Sequence, residues 1–469
     1  MKKALTRAAA ALLAALLILC ALPLSAAAQD DYALWQDKTR AALDADLSSC
    51  VSADSGSLAW GTSYLINAYC RAYQATGEEV YLRKAGGYLY EIFRLAEDND
   101  GDGYKNWGTG HYSGDSYEEF AVHTGALLSS AGEWANLVLS SPKLLRKKEP
   151  TSGMTYQALV QYLVREATTQ MIPAFDKDWN EKAGLYMSPA GSVYFEGKKV
   201  SLPNNQFLAM AAALLQFAKL SPEHADLYLG RAGAMLRAFR SKLNYSPCRG
   251  NITRWKYRDW YFCGDGSAST EDYSHGMWSV RAAIMGYANG LAFSQDNIAA
   301  FARVYKNITR GTKDEPLLAE RVDGGGTKDN ALFLFIYDLS PFGDSIWSTG
   351  YKTAVFRGTP ASAGDAARIL VYHEAAPAPL RFALLAPKNN AKAGGRTLFR
   401  WEPSVHACKY TLQVSGEADF SSLLTDRANI LDTCAFVDGL PAGQTLYWRV
   451  IAGTQSGKTY TSEVFTALS

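Results

Sequence analysis

Helical couplets repeat along most of the chain, and this repetition constrains the fold more than any single motif. The first couplet joins "SLAWGTSYLINAYCRAYQATGE" to "EVYLRKAGGYLYEIFRLAED", and apolar residues recur in both at three- and four-residue spacing. Comparable couplets begin at Glu118, Asn204 and Tyr273. The first helix of each couplet is apolar on nearly all sides and rich in Ala and Gly, which predicts an inner helix. The second carries more charge, which predicts an outer helix.

Repeated inner and outer helices predict a mainly α fold, an α/α toroid of helical hairpins that spans residues 29–374. An open helical solenoid is the alternative, but solenoid repeats are shorter and more regular in length than these. Three long segments, Asn99 to Tyr117, Asp176 to Pro203 and Asn244 to Thr270, each precede an inner helix. Because loops of this length usually serve function, we expect them to gather at one mouth of the toroid, where the inner helices begin.

The pattern changes after residue 374. Residues 375–387 contain three prolines and indicate a linker, and residues 388–469 contain short period-two strands that predict a small all-β sandwich. With "FRWEP", which offers a buried Trp401, and "LPAGQTLYWRVIAG", this segment resembles a fibronectin type III domain. The resemblance implies a spacer, or a domain that makes weak contact with a glycan or cell wall, rather than a catalytic unit.

The first 28 residues have the features of a secretory signal peptide. A basic start precedes an unbroken apolar stretch, and Ala26 and Ala28 provide the small residues of a cleavage site after Ala28. An uncleaved membrane anchor is the alternative, since the apolar run from Ala8 to Leu24 approaches the length of a membrane span. We expect a secreted, cell-surface or periplasmic monomer.

Charge and cysteine content narrow the partners and cofactors. The formal net charge of +1 argues against a nucleic-acid partner. Apart from Cys20, the cysteines fall into neighbouring couples, and an even number in an exported chain predicts disulfides. The couples are Cys50 with Cys70, Cys248 with Cys263, and Cys408 with Cys434. No spacing among them resembles a zinc site, and we expect no required cofactor.

Four inner-helix starts carry unusual polar or aromatic side chains. They are Trp60, "YEEFAVHTG" with Glu119 and His123, "LPNNQF" with Asn204 to Gln206, and "EDYSHG" with Glu271 to His275. Capping explains part of this pattern, because Asn, Ser and acidic residues favour helix N-termini. Capping does not explain a His or Gln inside the first turn of a helix, so we expect these helix starts to form one functional site. Glu271 and His275 are four residues apart, which predicts that they share a face and pair.

Several of these stretches together resemble the six-hairpin, or α/α toroid, glycosidase and polysaccharide lyase superfamily. The resemblance rests on "AWGTSYLINAY", "ATGEEVYLRKA", "DNDGDGY", "LPNNQFLAMAAALL" and "RWKY" followed by "EDYSHG", and it covers about Ser57 to Ile308. It implies a protein that cleaves or modifies an oligo- or polysaccharide, in many members a uronate-containing one. Resemblance of fold does not fix the reaction.

β-Elimination is the reaction we favour, because Asn, Gln, His, Tyr and Arg outnumber well-placed carboxylates. A lyase neutralises the uronate carboxylate, removes the proton alpha to it and protonates the leaving oxygen. We assign proton transfer to His275 and Tyr273, with Glu271 orienting His275. Gln206 stands where several toroid lyases carry a basic His, and glutamine cannot act as a base. The predicted substrate-binding residues are Asn204, Asn205, Gln206, Arg254, Tyr257, Trp107, His111, Glu119, His123 and Trp60, with Trp107 stacking on a sugar ring.

Two alternatives stay open. A glycoside hydrolase on the same fold needs two carboxylates, and Glu119, Asp115, Glu271 and Asp272 are the candidates. Because Glu271 and Asp272 are adjacent and point apart, one of them would face Glu119 across the cavity. The other alternative is a non-catalytic glycan-binding or cell-surface protein, which Gln206 in place of a basic residue favours.

The stretch "DNDGDGY" predicts a calcium site. Asp98, Asp100 and Asp102 alternate as in the opening half of a calcium loop, whose oxygen ligands suit this ion. A solvated turn is the alternative, because Thr109 stands where the bidentate glutamate of such a loop is expected.

Overall fold

Long helices occupy the chain as far as Val371 and a β-rich region follows, in a computed structural model that describes residues 29–45, 51–114, 116–245, 252–257, 270–343 and 345–469. The predicted signal peptide (1–28), Asp115, Cys50, Cys248 and Cys263 lie outside these residues. Within them, no helix has both the length and the apolar character needed to cross a membrane. The order of helices and strands along the chain confirms the predicted helical domain followed by a separate β domain.

The long helices carry labels in chain order. They are α1 (29–44), α2 (Ser63–Thr76), α3 (Glu79–Phe93), α4 (Ala121–Leu139), α5 (Tyr156–Glu166), α6 (Asn204–Ala218), α7 (Ala225–Ser241), α8 (Tyr273–Ala288), α9 (Gln295–Asn307), α10 (Ser345–Arg357) and α11 (Ala363–Val371). Shorter helical segments are Ser55–Ser57, Leu58–Thr62, Pro142–Leu145, Ala167–Met171, Pro173–Asp178, Pro222–His224 and Leu334–Phe342. The inner helices of the four couplets are α2, α4, α6 and α8.

Burial separates the inner helices from the outer ones. Every residue of α6 is buried, and so is α4 from Ala121 to Val138, whereas α5 buries one stripe that includes Leu159 and Leu163. Small residues allow α4 and α6 to approach closely, since a Cβ on Gly125 would lie 2.5 Å from the backbone nitrogen of Met210. Helix α2 packs on α4, α4 on α6 and α6 on α8, and α11 packs on α2.

Short strands connect the helices. These are β1 (Gly108–Thr109) with β2 (Glu118–Glu119), β3 (Trp179–Asn180) with β4 (Leu185–Tyr186), β5 (Asn244–Tyr245) with β6 (Ile252–Arg254), and a sheet of β7 (Thr309–Gly311), β8 (Pro316–Ala319) and β9 (Asp329–Asn330). The second and third pairs lie within the long segments before α6 and α8, and the first pair joins the long segment before α4 to the two residues that follow it.

The β domain contains two sheets. Its strands are β10 (Leu384–Ala386), β11 (Ala391–Lys392), β12 (Gly395–Trp401), β13 (Lys409–Ser415), β14 (Leu423–Ile430), β15 (Cys434–Leu440), β16 (Thr445–Gly453), β17 (Thr459–Thr461) and β18 (Phe465–Leu468). One sheet has the order β10–β12–β15 and the other β11–β18–β16–β13–β14, with β17 paired to β16. Trp401 from the first sheet and Trp448 from the second share one fully buried core. The first strand begins inside the predicted linker, 375–387.

The β domain packs against the C-terminal ends of the inner helices. Arg400 donates hydrogen bonds to the carbonyl oxygens of Asn136, at 3.0 Å, and Lys219, at 3.2 Å, near the ends of α4 and α6. The Lys219 side chain is fully buried and pairs with Asp432 of the β domain at 2.6 Å. Buried contacts of this kind make the domain an integral part of the fold, which a simple spacer would not be.

The predicted disulfides are wrong wherever the described residues test them. Cys70, Cys408 and Cys434 are free and buried. The Cys408 thiol donates to the carbonyl oxygen of Gly453 at 3.5 Å, whereas the Cys434 thiol donates to Asn136 Oδ1 at 3.6 Å, so the two sulfurs face different partners. Burial raises the pKa of Cys70 well above its ordinary value and that of Cys408 to about 12.

Candidate functional site

A cavity of about 110 Å³ lies where the inner helices begin. Its polar walls come from the first turns of α4, α6 and α8, and Trp60 adds an aromatic wall from the helical turn before α2. Helix N-termini can therefore present side chains to one space, as the polar helix starts suggest. Of the predicted site residues, the cavity brings together Trp60, His123, Asn205, Gln206, Tyr257 and His275.

Each of the three long loops contributes a tyrosine to this cavity. Tyr112, Tyr194 and Tyr257 come from the loops before α4, α6 and α8, and Phe120 lies beside them. The Tyr194 ring packs edge-on against Phe120 at 5.5 Å. Tyr194 and Phe120 were missed in the sequence, where the adjacent aromatics of "SVYFEG" and the Phe of "YEEFAVHTG" are the available signals. Aromatic walls with polar groups between them suit a ring-shaped polar ligand.

Asp272 holds His275 at the start of α8. Asp272 is the N-cap of this helix, and its Oδ1 accepts hydrogen bonds from the backbone nitrogens of Ser274 at 2.9 Å and His275 at 3.0 Å. Its Oδ2 pairs with Nδ1 of His275. Burial alone would raise the pKa of Asp272, but the hydrogen bond and charge of His275 outweigh it and lower the pKa to about 2. Nε2 is thus the ring nitrogen left for a ligand.

Glu271 does not orient His275, so that prediction is wrong. The Glu271 side chain has no exposed surface, and its Oε2 accepts hydrogen bonds from Trp255 Nε1 at 2.6 Å and Ser279 Oγ at 3.4 Å. Its backbone pairs with Trp255 and Val322 ahead of α8, where the i, i+4 geometry of a helix does not apply. Burial raises the pKa of Glu271 well above its ordinary value.

His123 enters the cavity as a neutral imidazole. Only 3% of the residue is exposed, and its Nδ1 lies 2.8 Å from Ser55 Oγ. The Trp60 ring meets it edge-on at 5.5 Å. Burial lowers the pKa of His123 to about 4. At neutral pH this ring can donate or accept a hydrogen bond without adding positive charge.

Asn205 presents an unsatisfied carbonyl oxygen. The residue is 1% exposed, and its Oδ1 has no hydrogen-bond partner among the described residues. Because a buried acceptor without a donor is costly, a ligand hydroxyl at this point would be favourable. Asn204 has a different task, since its Nδ2 donates to the carbonyl oxygen of Lys256 at 2.6 Å and fixes the loop before α8.

Other predicted residues lie away from this cavity. Trp107 is a core residue and does not stack on a ligand, since it is 2% exposed and its Nε1 donates to the carbonyl oxygen of Ile92 at 3.0 Å. Tyr273 is not part of the cavity lining, and burial raises its pKa to about 12. Arg254 is exposed on β6, and His111 is exposed beside Tyr112.

Glu119 borders a neighbouring, larger cavity. Its carboxyl accepts a hydrogen bond from the Tyr117 hydroxyl at 3.4 Å. Burial, and then the charges of Asp100 and Asp102, raise the pKa of Glu119 to about 8. This side chain is therefore largely a protonated acid at neutral pH.

The three predicted calcium ligands lie together. One carboxylate oxygen from each of Asp98, Asp100 and Asp102 lies within 4.8 Å of the others. Lys177 Nζ lies 2.5 Å from Asp102 and 3.4 Å from Asp100, so an ammonium group supplies the positive charge at two of these carboxylates.

The cavity at the helix starts combines a carboxylate-held imidazole, an unsatisfied amide oxygen and several aromatic rings. Such a set can hold a polar ring and move a proton on it. No protein-family model, no curated protein and no solved structure matches this chain.

Proposed function

We propose that this protein is a carbohydrate-active enzyme that cleaves a uronate-containing oligo- or polysaccharide by β-elimination. One observation carries the proposal: His275, held by Asp272, lines the same cavity as the unpartnered Oδ1 of Asn205 and the rings of Trp60 and Tyr194. The aromatic rings would bind the faces of a sugar, and the amides would bind its polar groups.

In this proposal His275 is the base. Its Nε2 takes the proton from the carbon alpha to the uronate carboxyl, and Asp272 stabilises the imidazolium that forms. The released electron pair forms the carbon–carbon double bond, and the bond from the neighbouring carbon to the leaving oxygen breaks. The amide NH₂ groups of Asn205 and Gln206 hydrogen-bond to the carboxylate. Tyr257, whose ring centroid lies 5.0 Å from that of His275, donates the proton to the leaving oxygen.

The proposal includes an α/α toroid and an exported protein. The order of inner-helix packing, with α11 on α2, supports a closed ring of hairpins. The signal-peptide pattern supports export, and the two-sheet domain supports a fibronectin type III-like fold. We propose a monomer whose β domain retains the option of a surface contact with a glycan or cell wall.

Hydrolysis is the second candidate, and Glu119 is the observation that favours it. A carboxyl group with a pKa of about 8 can act as a general acid on a glycosidic oxygen. Hydrolysis also needs a second carboxylate. Glu271 is fully buried and Asp272 is occupied by His275 and the α8 cap, which makes this candidate the weaker one.

A panel of uronate and neutral polysaccharides tests both candidates. We expect new reducing ends together with ultraviolet absorbance from an unsaturated uronate. H275A should lower the rate about 10²- to 10⁴-fold. H224A is the matched control, because His224 lies at the start of outer helix α7, outside the cavity lining. Reducing ends without absorbance would establish hydrolysis. A rate that H275A leaves unchanged would contradict the lyase proposal.

A further inference from the structure

A cavity of about 520 Å³ lies beside the candidate site. A small cavity of about 10 Å³ lies between them; it shares Glu119 and Asp178 with the large cavity and Phe120 and Gln206 with the candidate site. Glu119 and Phe120 are consecutive just before α4, so one short segment faces both spaces. The large cavity has a volume that suits a sugar unit, and the segment of Glu119 and Phe120 makes it a neighbour of the candidate site.

Both lysines that line the large cavity already have carboxylate partners. Lys199 Nζ lies 2.9 Å from Asp178 Oδ1. Lys177 Nζ lies 2.5 Å from Asp102 and 3.4 Å from Asp100. An anionic ligand would have to compete with these carboxylates for each ammonium group.

Glu118 is also occupied, because it fixes the loop that separates the two cavities. Its carboxylate accepts hydrogen bonds from Ser192 Oγ and the backbone nitrogen of Val193, both at 2.6 Å. The same carboxylate accepts a longer bond of 3.4 Å from the backbone nitrogen of Tyr194, which lines the candidate site.

Among the carboxyl groups that line the large cavity, Glu119 is the one with neither an ion pair nor a backbone hydrogen bond; its described partner is the Tyr117 hydroxyl at 3.4 Å. Burial, and then the charges of Asp100 and Asp102, hold its pKa at about 8, and Lys177 and the Tyr117 hydroxyl only partly offset them. Around this cavity the carboxyl groups outnumber the ammonium groups: Asp100, Asp102, Glu118, Glu119 and Asp178 against Lys177 and Lys199. The wall of the cavity therefore carries excess negative charge. A bound cation can displace the proton on Glu119.

We infer that the large cavity takes a sugar unit with a free amino group, next to the unit held in the candidate site. The ammonium group of such a hexosamine would pair with Glu119 and satisfy the excess negative charge, whereas an N-acetylated or anionic unit would not. Taken together with the proposed function, this predicts a glycan in which an unacetylated amino sugar neighbours a uronate. This inference rests on the proposed function only in taking the ligand to be a glycan.

Isothermal titration calorimetry with a fully deacetylated glucosamine trisaccharide tests it, with the N-acetylated trisaccharide as the comparison. At about pH 6 Glu119 holds its proton, so binding of the ammonium group should release up to about one proton, measured in two buffers of different ionisation enthalpy. We expect at least about tenfold tighter binding of the amine. E119Q, which keeps the shape of the side chain, should remove both the proton release and the preference. E91Q, at an exposed site on α3, should keep both.

Equal affinity for the two trisaccharides, or binding of the amine without proton release, would overturn the inference. The two proposals fail separately, because amine binding does not need His275. Amine binding by a protein that cleaves no uronate glycan would remove only the lyase proposal. Cleavage of a uronate glycan without amine-dependent binding would remove only the inference about the large cavity.

Discussion

The carboxylate of Asp272 performs two tasks for His275. One carboxylate oxygen caps helix α8 by accepting a hydrogen bond from the backbone nitrogen of His275 at 3.0 Å. The other oxygen pairs with Nδ1 of the His275 ring. The helix start and the imidazole are therefore positioned by one side chain. A substitution at Asp272 therefore affects the orientation of His275. D272N separates the two tasks, because Asn is also a good N-cap but carries no charge to pair with the ring.

We expect D272N to lower the cleavage rate about 10²-fold or more, while the protein stays folded. The substituted amide has no charge to stabilise the imidazolium, but its oxygen can still cap α8. Initial rates with the substrate found in the panel, together with the thermal unfolding midpoint, measure the two effects. A wild-type rate for D272N would show that the ion pair serves the fold alone.

E271Q is the matched comparison for this substitution. Glu271 is fully buried and accepts a hydrogen bond from Trp255 Nε1, which the amide oxygen of glutamine can also accept. We expect an unchanged rate. A fall in the cleavage rate as large as that of D272N would show that Glu271 takes part in the reaction.

The different roles of Asp272 and Glu271 show which parts of the site can be predicted from the sequence. A common site at the helix starts, with His123, Gln206 and His275 on one cavity, is visible in the sequence because capping does not account for such residues. The partner of His275 is not visible, because it depends on where α8 begins. Spacing favours Glu271 only if the helix includes it, and the helix begins at Tyr273.

Tertiary contacts account for the other errors. The apolar spacing of the helices predicts which helices are inner, but not that Trp107 fills the space beside Phe93 at a ring distance of 5.3 Å. Counting cysteines likewise cannot show that Cys408 and Cys434 face different neighbours. The docking of the β domain depends on single residues such as Arg400, whose surroundings no local pattern encodes.

The ion pair between Lys219 and Asp432 predicts that the β domain supports the helical domain. Because the Lys219 side chain is fully buried, D432N leaves an ammonium group without its charged partner. We expect the free energy of unfolding, from urea titration, to fall by about 3–5 kcal/mol. K219M/D432L should recover much of this loss, because no unpaired charge remains.

A surface pair provides the control for this prediction. Arg381 and Glu463 lie 2.7 Å apart, but their side chains are 76% and 69% exposed. R381A should therefore cost less than about 1 kcal/mol. Equal losses for D432N and R381A would contradict a supporting role of the buried pair.

Glu119 should make stability depend on pH. Its pKa is about 8 in the folded protein and near the ordinary 4.5 in the unfolded chain. Between these values the unfolded chain releases a proton that the folded protein keeps, so stability falls as pH rises. E119Q should match wild type below about pH 4 and become progressively more stable than wild type up to about pH 8. Parallel unfolding midpoints for the two proteins across this range would contradict the raised pKa.

Calcium binding at Asp98, Asp100 and Asp102 should be limited by Lys177. The ammonium group lies 2.5 Å from Asp102 and 3.4 Å from Asp100, so a calcium ion at these carboxylates must displace it or bind against its charge. K177M removes the competing charge and keeps the length of the side chain. We expect calcium to raise the unfolding midpoint of K177M more than that of wild type, with magnesium as the comparison ion. D98N/K177M should lose the effect, because one ligand charge is gone. If calcium shifts the unfolding midpoint of none of the three proteins, the predicted calcium site is wrong and the loop is a solvated turn closed by Lys177.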